Sequence, residues 1–465
     1  MRMRRLLTSL CPLWALTLTA ALSCGCTTAL TTRPDDFVRR AWRIAPPSLA
    51  IGSPEFARAM DQRTASRALP GNQVMLLNNG GEAYPAMLAA IAAAQESIDF
   101  SVYTYANDAT GRRFREAFVA AARRGVRVRL CYDRFGSPGV TGRFFAPLTA
   151  VGGQARVFNP FANWTLLRGN NRNHQKILVV DGEVAFMGSV NLADKHNGDG
   201  KKGWRDLALE VRGPAVADVG KVFDRAWGEA GGGFIGRSLP VLGTYWAKKA
   251  LEMPLNLLLM TRKGKTSPPC GKRYAPPPAA GDAKKQVWQN EPVRVVANFP
   301  ENFSSNLLNM LELAIAGAER RVCLCSPYFI LPPRLERALL CARARGVEVL
   351  LLTQGESDVD FMPLASQGCL RRMLANGVKI FAWPHSILHA KYATVDGRWA
   401  TVGSTNLDSR SLILNCEANF ALEGETPAAL EAAFLRDINE ATPYNHYRPL
   451  TKKVPWLLRT LRHQF

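Results

Sequence analysis

Acidic residues are the scarce charge in this sequence of 465 residues: 38 Asp and Glu stand against 59 Lys and Arg, a net charge of +21. A chain so short of acid attracts polyanions, either nucleic acid or an anionic lipid surface, and composition does not choose between the two. Apolar residues make up 47% and charged residues 21%, close to ordinary soluble usage, which excludes a disordered, a collagen-like and a polytopic membrane protein. Cysteine is sparse, and the seven that follow Cys26 are an odd number, so complete pairing is excluded. A disulfide framework is out of place at this length, and no metal-ligand spacing is present. Cys323 and Cys325 alternate with apolar neighbours and read as small core hydrophobes on one strand face.

At about 150 residues per domain the length implies two or three units. Arg2, Arg4 and Arg5 precede an uncharged apolar run, Leu6 to Leu22, that ends in Ser23-Cys24-Gly25-Cys26. That is the three-part pattern of an export signal, with a lipobox-like end that makes Cys26 the acylated residue and Cys24 its alternative. An uncleaved anchoring helix is the competing reading, although the run is shorter than the usual span of ~20 residues. Either reading places the body beside a membrane, and the expectation is a lipid-anchored protein of a bacterial envelope. Thr27 in place of an Asp after Cys26 leans towards the outer membrane.

Beyond residue 72 the chain reads as two copies of one unit. Helix Met87–Ala94, strand Ser97–Tyr105, helix Gly111–Arg124 and strand Val126–Tyr132 recur as helix Met310–Ala318, strand Arg321–Ile330, helix Pro333–Arg345 and strand Val347–Leu352. The helix-stop glycines Gly125 and Gly346 occupy the same place in each copy. Such alternation implies α/β layers, a largely parallel or mixed sheet covered by helices in each half. The expected organisation is a signal over 1–26, an extension over 27–72, halves at 73–230 and 293–442, a Gly/Pro/Lys-rich insert at 231–292 and a basic amphipathic tail at 443–465. In the insert, the apolar stretch Ala250–Met260 reads as a covering helix or as a segment dipping into lipid headgroups. The tail reads equally as a packed helix and as an anionic-lipid attachment.

Each half carries one motif of the form H-x-K-x4-D-x6-G-S-x-N. The first is His174, Lys176, Asp181, Gly188, Ser189 and Asn191; the second is His389, Lys391, Asp396, Gly403, Ser404 and Asn406. On a strand the His and Lys of H-x-K share a face, about 6 to 7 Å apart, so both address one bound group. Ser and Asn on the returning strand add donors, and a pseudo-two-fold axis brings the two sets into one pocket. A positive, donor-rich pocket suits a phosphodiester, whose oxygens gain charge during transfer. Of two imidazoles, one neutral as nucleophile and one protonated as general acid divide the work of a two-step covalent transfer. Neither metal nor cofactor is required.

These motifs resemble the phospholipase D superfamily. The run Gly403-Ser404-Thr405-Asn406-Leu407-Asp408-Ser409-Arg410-Ser411, continuing to Leu414-Asn415-Cys416-Glu417-Ala418-Asn419, resembles its bacterial cardiolipin synthase branch. The resemblance implies two duplicated α/β/α sandwich halves with the active site between them, His174 as nucleophile and His389 as acid/base. It also implies that Asp206 orients His389 and Glu417 orients His174. Lys176, Lys391, Asp181 and Asp396 complete the catalytic motifs, the two aspartates fitting a turn-bracing role better than a substrate contact, and Ser189, Asn191, Ser404 and Asn406 are placed on substrate. The expected activity is phosphatidyl transfer between phospholipids at an anionic membrane by a functional monomer. Phospholipid hydrolysis and a metal-independent nuclease activity are the alternatives, nucleic acid ranking lower because the lipobox, the apolar insert and the tail all favour lipid. His196 reads as a surface histidine near the pocket rim, and His385 as a loop residue.

Overall fold

The computed structural model describes residues 49–159, 171–231, 286–299, 305–359 and 362–444. The export signal with Cys24 and Cys26, the stretch Ala250–Met260, and the tail beyond Tyr444 lie outside the described residues. The first half contributes β1 (Leu69–Asn78), β2 (Ser97–Val102), β3 (Arg127–Asp133), β4 (Gln154–Phe158), β5 (Ile177–Val180), β6 (Val184–Gly188) and β7 (Leu207–Arg212). The second contributes β8 (Val287–Asn298), β9 (Arg321–Cys325), β10 (Phe329–Ile330), β11 (Glu348–Gln354), β12 (Lys379–Trp383), β13 (Tyr392–Val395), β14 (Trp399–Gly403), β15 (Leu407–Asp408), β16 (Glu417–Glu423) and β17 (Thr442–Pro443).

Fifteen of these strands form one sheet in the order β17-β12-β11-β9-β13-β14-β16-β8-β1-β7-β6-β5-β2-β3-β4. Read outwards from the β8–β1 pair, the two directions repeat each other: β1, β7, β6, β5, β2, β3, β4 on one side match β8, β16, β14, β13, β9, β11, β12 on the other. The duplication seen in the sequence is therefore a pseudo-two-fold axis between β1 and β8, whose antiparallel register pairs Leu69 with Val293 and Val74 with Trp288. In each half three strands, β2-β3-β4 and β9-β11-β12, run parallel and the inner ones antiparallel, with the short β17 antiparallel to β12 at the edge of the second half, a mixed sheet.

Helices α1 (Pro54–Thr64), α2 (Asn79–Ala93), α3 (Ala109–Arg123), α4 (Ala146–Thr149), α5 (Ala215–Gly231), α6 (Asn306–Ala316), α7 (Pro333–Ala344), α8 (Met362–Ala375) and α9 (Thr426–Glu440) cover both faces. One core is common to both halves: Phe223 and Trp227 of α5 and Leu430 and Phe434 of α9 pack with Val179, Leu209, Val295 and Phe420. The opposite face carries separate cores, Phe114 and Phe118 of α3 with Phe100 in the first half, and Leu335 and Leu339 of α7 with Leu324 and Leu351 in the second. Strands covered on both sides read as nearly continuous apolar runs, as the fully buried Ile177–Val180 does.

Local chemistry explains the repeat. The Asp108 side chain accepts from Gly111 N and caps α3. Gly125 and Gly346 sit at φ 94° and 93°, the left-handed geometry that ends a helix and starts the next strand. Three expectations need correction. Strand Arg321–Ile330 is split into β9 and β10 around Pro327, and β10 pairs with β15 in a separate two-stranded sheet. Helix α2 begins at Asn79, before Met87. The boundaries also move: β1 starts at Leu69, β8 starts at Val287 inside the proposed insert, and α1, from the proposed extension, buries Phe56 and Met60 against Leu307 and Leu311. Among the described residues no helix is long and apolar enough to cross a membrane, and none of the six described cysteines, Cys323 and Cys325 included, is in a disulfide.

Candidate active site

The two H-x-K segments meet the opposite half through the backbone. His174 N donates to Cys416 O at 2.9 Å and Cys416 N to Arg172 O at 2.8 Å, while His389 N donates to Arg205 O at 2.7 Å and Arg205 N to Ile387 O at 2.9 Å. These contacts are related by the pseudo-two-fold axis, and each sets a histidine beside the carboxylate that follows its partner residue. His174 Nδ1 lies 2.9 and 3.1 Å from the two oxygens of Glu417, and His389 Nδ1 lies 2.8 Å from Asp206 Oδ1. Both carboxylates are fully buried. Burial alone raises a carboxyl pKa, but the interactions with His389 and His196 hold Asp206 well below the usual range, and His174, Lys176 and Ser404 hold Glu417 down as well.

An imidazole whose Nδ1 faces an ionised carboxylate carries its proton there, which leaves the Nε2 lone pair for a reacting atom. Burial lowers the His174 pKa to about 4 and puts His389 well below its ordinary value, so both rings are neutral at pH 7. A bound phosphodiester anion reverses part of this by favouring a protonated ring.

Lys176 and Lys391 are almost wholly buried. Each ammonium donates to the carbonyl of its own motif histidine, Lys176 to His174 O at 2.6 Å and Lys391 to His389 O. The two ammonium groups and the carboxylates Asp206 and Glu417 all feel one another's charge, so the halves form a single electrostatic site. Burial lowers the Lys391 pKa to about 8 and takes Lys176 well below its ordinary value. Tyr103 packs edge-on to His174 at 4.8 Å and sits under Lys176 Nζ at 5.4 Å.

The motif glycines are required by close approach. A Cβ at Gly188 would lie 2.3 Å from Leu207 O, and one at Gly403 would lie 2.1 Å from Asn419 Oδ1. This tight pairing of β6 with β7 and of β14 with β16 delivers Ser189 and Ser404 to the carboxylates. Ser189 Oγ donates to Asp206 Oδ1 at 2.6 Å and accepts from Leu207 N; Ser404 Oγ donates to Glu417 Oε2 and accepts from Ala418 N.

Asp181 and Asp396, expected to brace a turn rather than touch substrate, are not brought to the site. They stand at the far end of β5 and β13, five residues beyond Lys176 and Lys391, or about 16 Å of strand. With φ 53° and 56°, each opens a tight hairpin turn completed by Gly182 or Gly397. The Asp181 carboxylate accepts from the backbone N–H of Gln95, Glu96 and Ser97, and that of Asp396 from Glu319, Arg320 and Arg321. Their part is to brace the turn against the start of β2 and β9. Ser189 and Ser404, expected on substrate, are instead committed to Asp206 and Glu417. Asn191 Oδ1 accepts from Thr104 N at 3.1 Å, whereas Asn406 Oδ1 is buried without a partner.

His196, read as a surface residue, is fully buried and places Nδ1 2.6 Å from Asp206 Oδ2. Trp204 packs on both His196 and His389, at 4.5 and 5.2 Å. No local pattern marked His196, because the loop from Ala193 to Asp206 folds back on itself to reach Asp206 and so defeats strand or helix periodicity. His196, Asp206 and His389 also have possible metal-ligand atoms within 4.8 Å of one another, although both Nδ1 atoms are engaged with the carboxylate. His385 lies in a loop near Glu440, 3.3 Å from its carboxylate.

Two sandwich halves fused edge to edge, with imidazole–carboxylate pairs crossed between them, define a duplicated phospholipase D-like protein. The family model described as "Cardiolipin synthase, PLD-like domain" matches residues 87–227 and 311–438. The chain is 33% identical over 363 residues to cardiolipin synthase B of Salmonella typhi, covering 77% of this chain and 78% of that one. It is 31% identical over 372 residues to cardiolipin synthase 1 of Bacillus anthracis, covering 79% of this chain and 66% of the relative's length. Cardiolipin synthase B of Escherichia coli K12 is 31% identical over 356 residues, 75% of this chain and 76% of that one. Among solved structures, phosphatidylserine synthase of Haemophilus influenzae Rd KW20 shares the fold with a TM-score of 0.59 at 14% identity, over 88% of this chain and 96% of that one. The chain belongs to the cardiolipin synthase family of phospholipase D-like proteins.

Proposed function

We propose that this protein is a phosphatidyltransferase of the cardiolipin synthase type, working through a covalent phosphohistidine. The observation that carries the reading is the crossed pair of contacts, His174 to Glu417 and His389 to Asp206, which couples two imidazoles from distant parts of the chain into one positive site. In the first step Nε2 of His174 attacks the phosphorus of phosphatidylglycerol, the P–O bond to the glycerol headgroup breaks, and that oxygen takes the proton of a His389 imidazolium. In the second, a hydroxyl of another phosphatidylglycerol gives its proton back to His389 and attacks the phosphohistidine. Cardiolipin and free glycerol leave, and both rings return to their starting state.

Attached phosphorus makes the His174 ring cationic, so the Glu417 charge is aimed at the intermediate, as Asp206 is aimed at the His389 imidazolium. Lys176 and Lys391 supply the positive field in which the phosphate oxygens gain charge. Substrate and membrane partner are the same material, anionic phospholipid, and the +21 charge suits that surface. Residence in a bacterial envelope through an acylated Cys26, on the outer membrane, belongs to the same proposal. Because one chain supplies both imidazoles and both carboxylates, it acts as a monomer.

Product analysis with phosphatidylglycerol vesicles tests this. Cardiolipin with equimolar glycerol is expected, and His174→Ala and His389→Ala each abolish it. Phosphatidic acid as the main product would instead make the chain a phospholipase, and cleavage of single-stranded DNA with inert lipid would overturn the lipid assignment.

A further inference from the structure

The pseudo-two-fold axis is broken at one point in the site. Glu417 turns both oxygens towards a single imidazole, His174, and takes further donors from Ser404 Oγ and, at 3.4 Å, from Asn415 Nδ2. Asp206, one methylene shorter, meets His389 through Oδ1 alone, and its Oδ2 is taken by His196 at 2.6 Å. Counting from the G-S-x-N motif, the place of His196 in the second half is held by Ser411, whose backbone N–H donates to Asp408 and not to Glu417. A second imidazole is thus built into one half only.

We propose that His196 is a positioning residue that acts through Asp206 to fix the acid/base imidazole of His389. The inference rests on the reading of His389 as a reacting group. The carboxylate plane is held at both ends, Oδ1 by His389 and Ser189 and Oδ2 by His196, so its rotation is blocked and Oδ1 stays in line with His389 Nδ1. His196 is itself held: its ring packs against Trp204 at 4.5 Å and against His389 at 5.1 Å, and the residue has no exposure. Its Nε2 is buried and has no partner, which fits a neutral ring that donates from Nδ1 and leaves only a bare lone pair in the interior.

The donor has an electronic consequence as well as a geometric one. A hydrogen bond to Oδ2 draws carboxylate charge away from Oδ1 and makes His389 less basic, hence a stronger acid towards the leaving alcohol. The other charged or titratable groups around the trio are Lys391, Lys195 and Lys176, the Arg205 guanidinium on Asp206 O at 2.8 Å, and Tyr84. None of them reaches Oδ2, so the donor at that oxygen comes from His196.

The experiment compares kcat/KM against pH for the full chain on phosphatidylglycerol vesicles, in the wild type and in His196→Ala, His196→Asn and His196→Gln, with His389→Ala as reference and a thermal melt for each protein. Asn places its amide N–H near the position of Nδ1, whereas Gln places it near Nε2. The expected result is a loss of tenfold or more in kcat with little change in KM for the Ala and Gln variants. The limb that reports His389 should move about one unit to higher pH, and Asn should recover most of the rate with the wild-type profile. Equal rates for Asn and Gln, or a loss of rate with an unmoved profile, overturns the positioning role. Should Ala fail to fold, the Asn and Gln comparison decides alone. Retained activity in His389→Ala would instead defeat the shared-site mechanism itself and is read separately.

Discussion

Glu417→Gln removes one charge and almost no volume from the most buried part of the site. In the wild type both carboxylate oxygens face His174 Nδ1, at 2.9 and 3.1 Å, with Ser404 Oγ donating to one of them. Glutamine keeps one acceptor but must turn its amide N–H₂ towards either Nδ1–H or Ser404. The cost falls where His174 is positive, in the transition state and in the phosphohistidine. A charge-assisted hydrogen bond contributes about 1.5 to 3 kcal/mol, and a full ion pair at 4 Å in an effective dielectric of 20 about 4 kcal/mol. These limits correspond to a loss of roughly tenfold to a thousandfold in the rate of phosphohistidine formation. Single-turnover release of glycerol from phosphatidylglycerol vesicles, with acid-quenched and base-quenched samples assayed for protein-bound phosphate, measures that step directly. A weakened but measurable burst is expected, slower than wild type and well above His174→Ala. A rate within twofold of wild type refutes the electrostatic role of Glu417. Loss as complete as in His174→Ala, in a protein that melts normally, refutes the view that Glu417 assists the nucleophile without being one.

Raising the pH deprotonates Lys391, whose pKa burial lowers to about 8, so kcat/KM should fall as pH rises through that region; a flat profile from pH 7 to 10 contradicts the placement of its charge in the site. The buried His174 runs the other way: its folded pKa of about 4 lies below the unfolded value of about 6.5, so the unfolded chain binds more protons in between. Stability from the neutral ring is therefore complete above about pH 6.5 and lost as pH falls towards 4, and urea midpoints should show a shallower acid decline in His174→Gln than in the wild type. Asp181→Ala removes the acceptor of three backbone N–H groups at a partly exposed turn and should cost about 1 to 2 kcal/mol of stability. The folded variant should keep kcat within about threefold, whereas a selective collapse of kcat would return Asp181 to the chemistry. EDTA should leave transfer unchanged; loss of activity restored by zinc would show that His196, Asp206 and His389 hold a metal.

The repeated H-x-K spacing was legible because it is local. On any strand the two side chains share a face, whatever the strand packs against, and the same holds for the glycines that end α3 and α7. Asp181 and Asp396 already fitted the turn better than the substrate. Ser189 and Ser404 illustrate the limit, since donors beside a motif can equally serve a neighbouring carboxylate. His196 was misplaced because its partner lies across an irregular loop, where no periodicity constrains the direction of a side chain.

By itself, then, the chain of residues determined the duplication, the α/β layering, and the types of group available for phosphoryl chemistry. All of these follow from steric and hydrogen-bonding preferences acting over a few neighbours. Tertiary structure alone decided that Ser189 and Ser404 serve the buried carboxylates and that a second imidazole shares Asp206. Those outcomes depend on strand register and on the β1–β8 junction, contacts between segments far apart in sequence whose geometry no local rule contains.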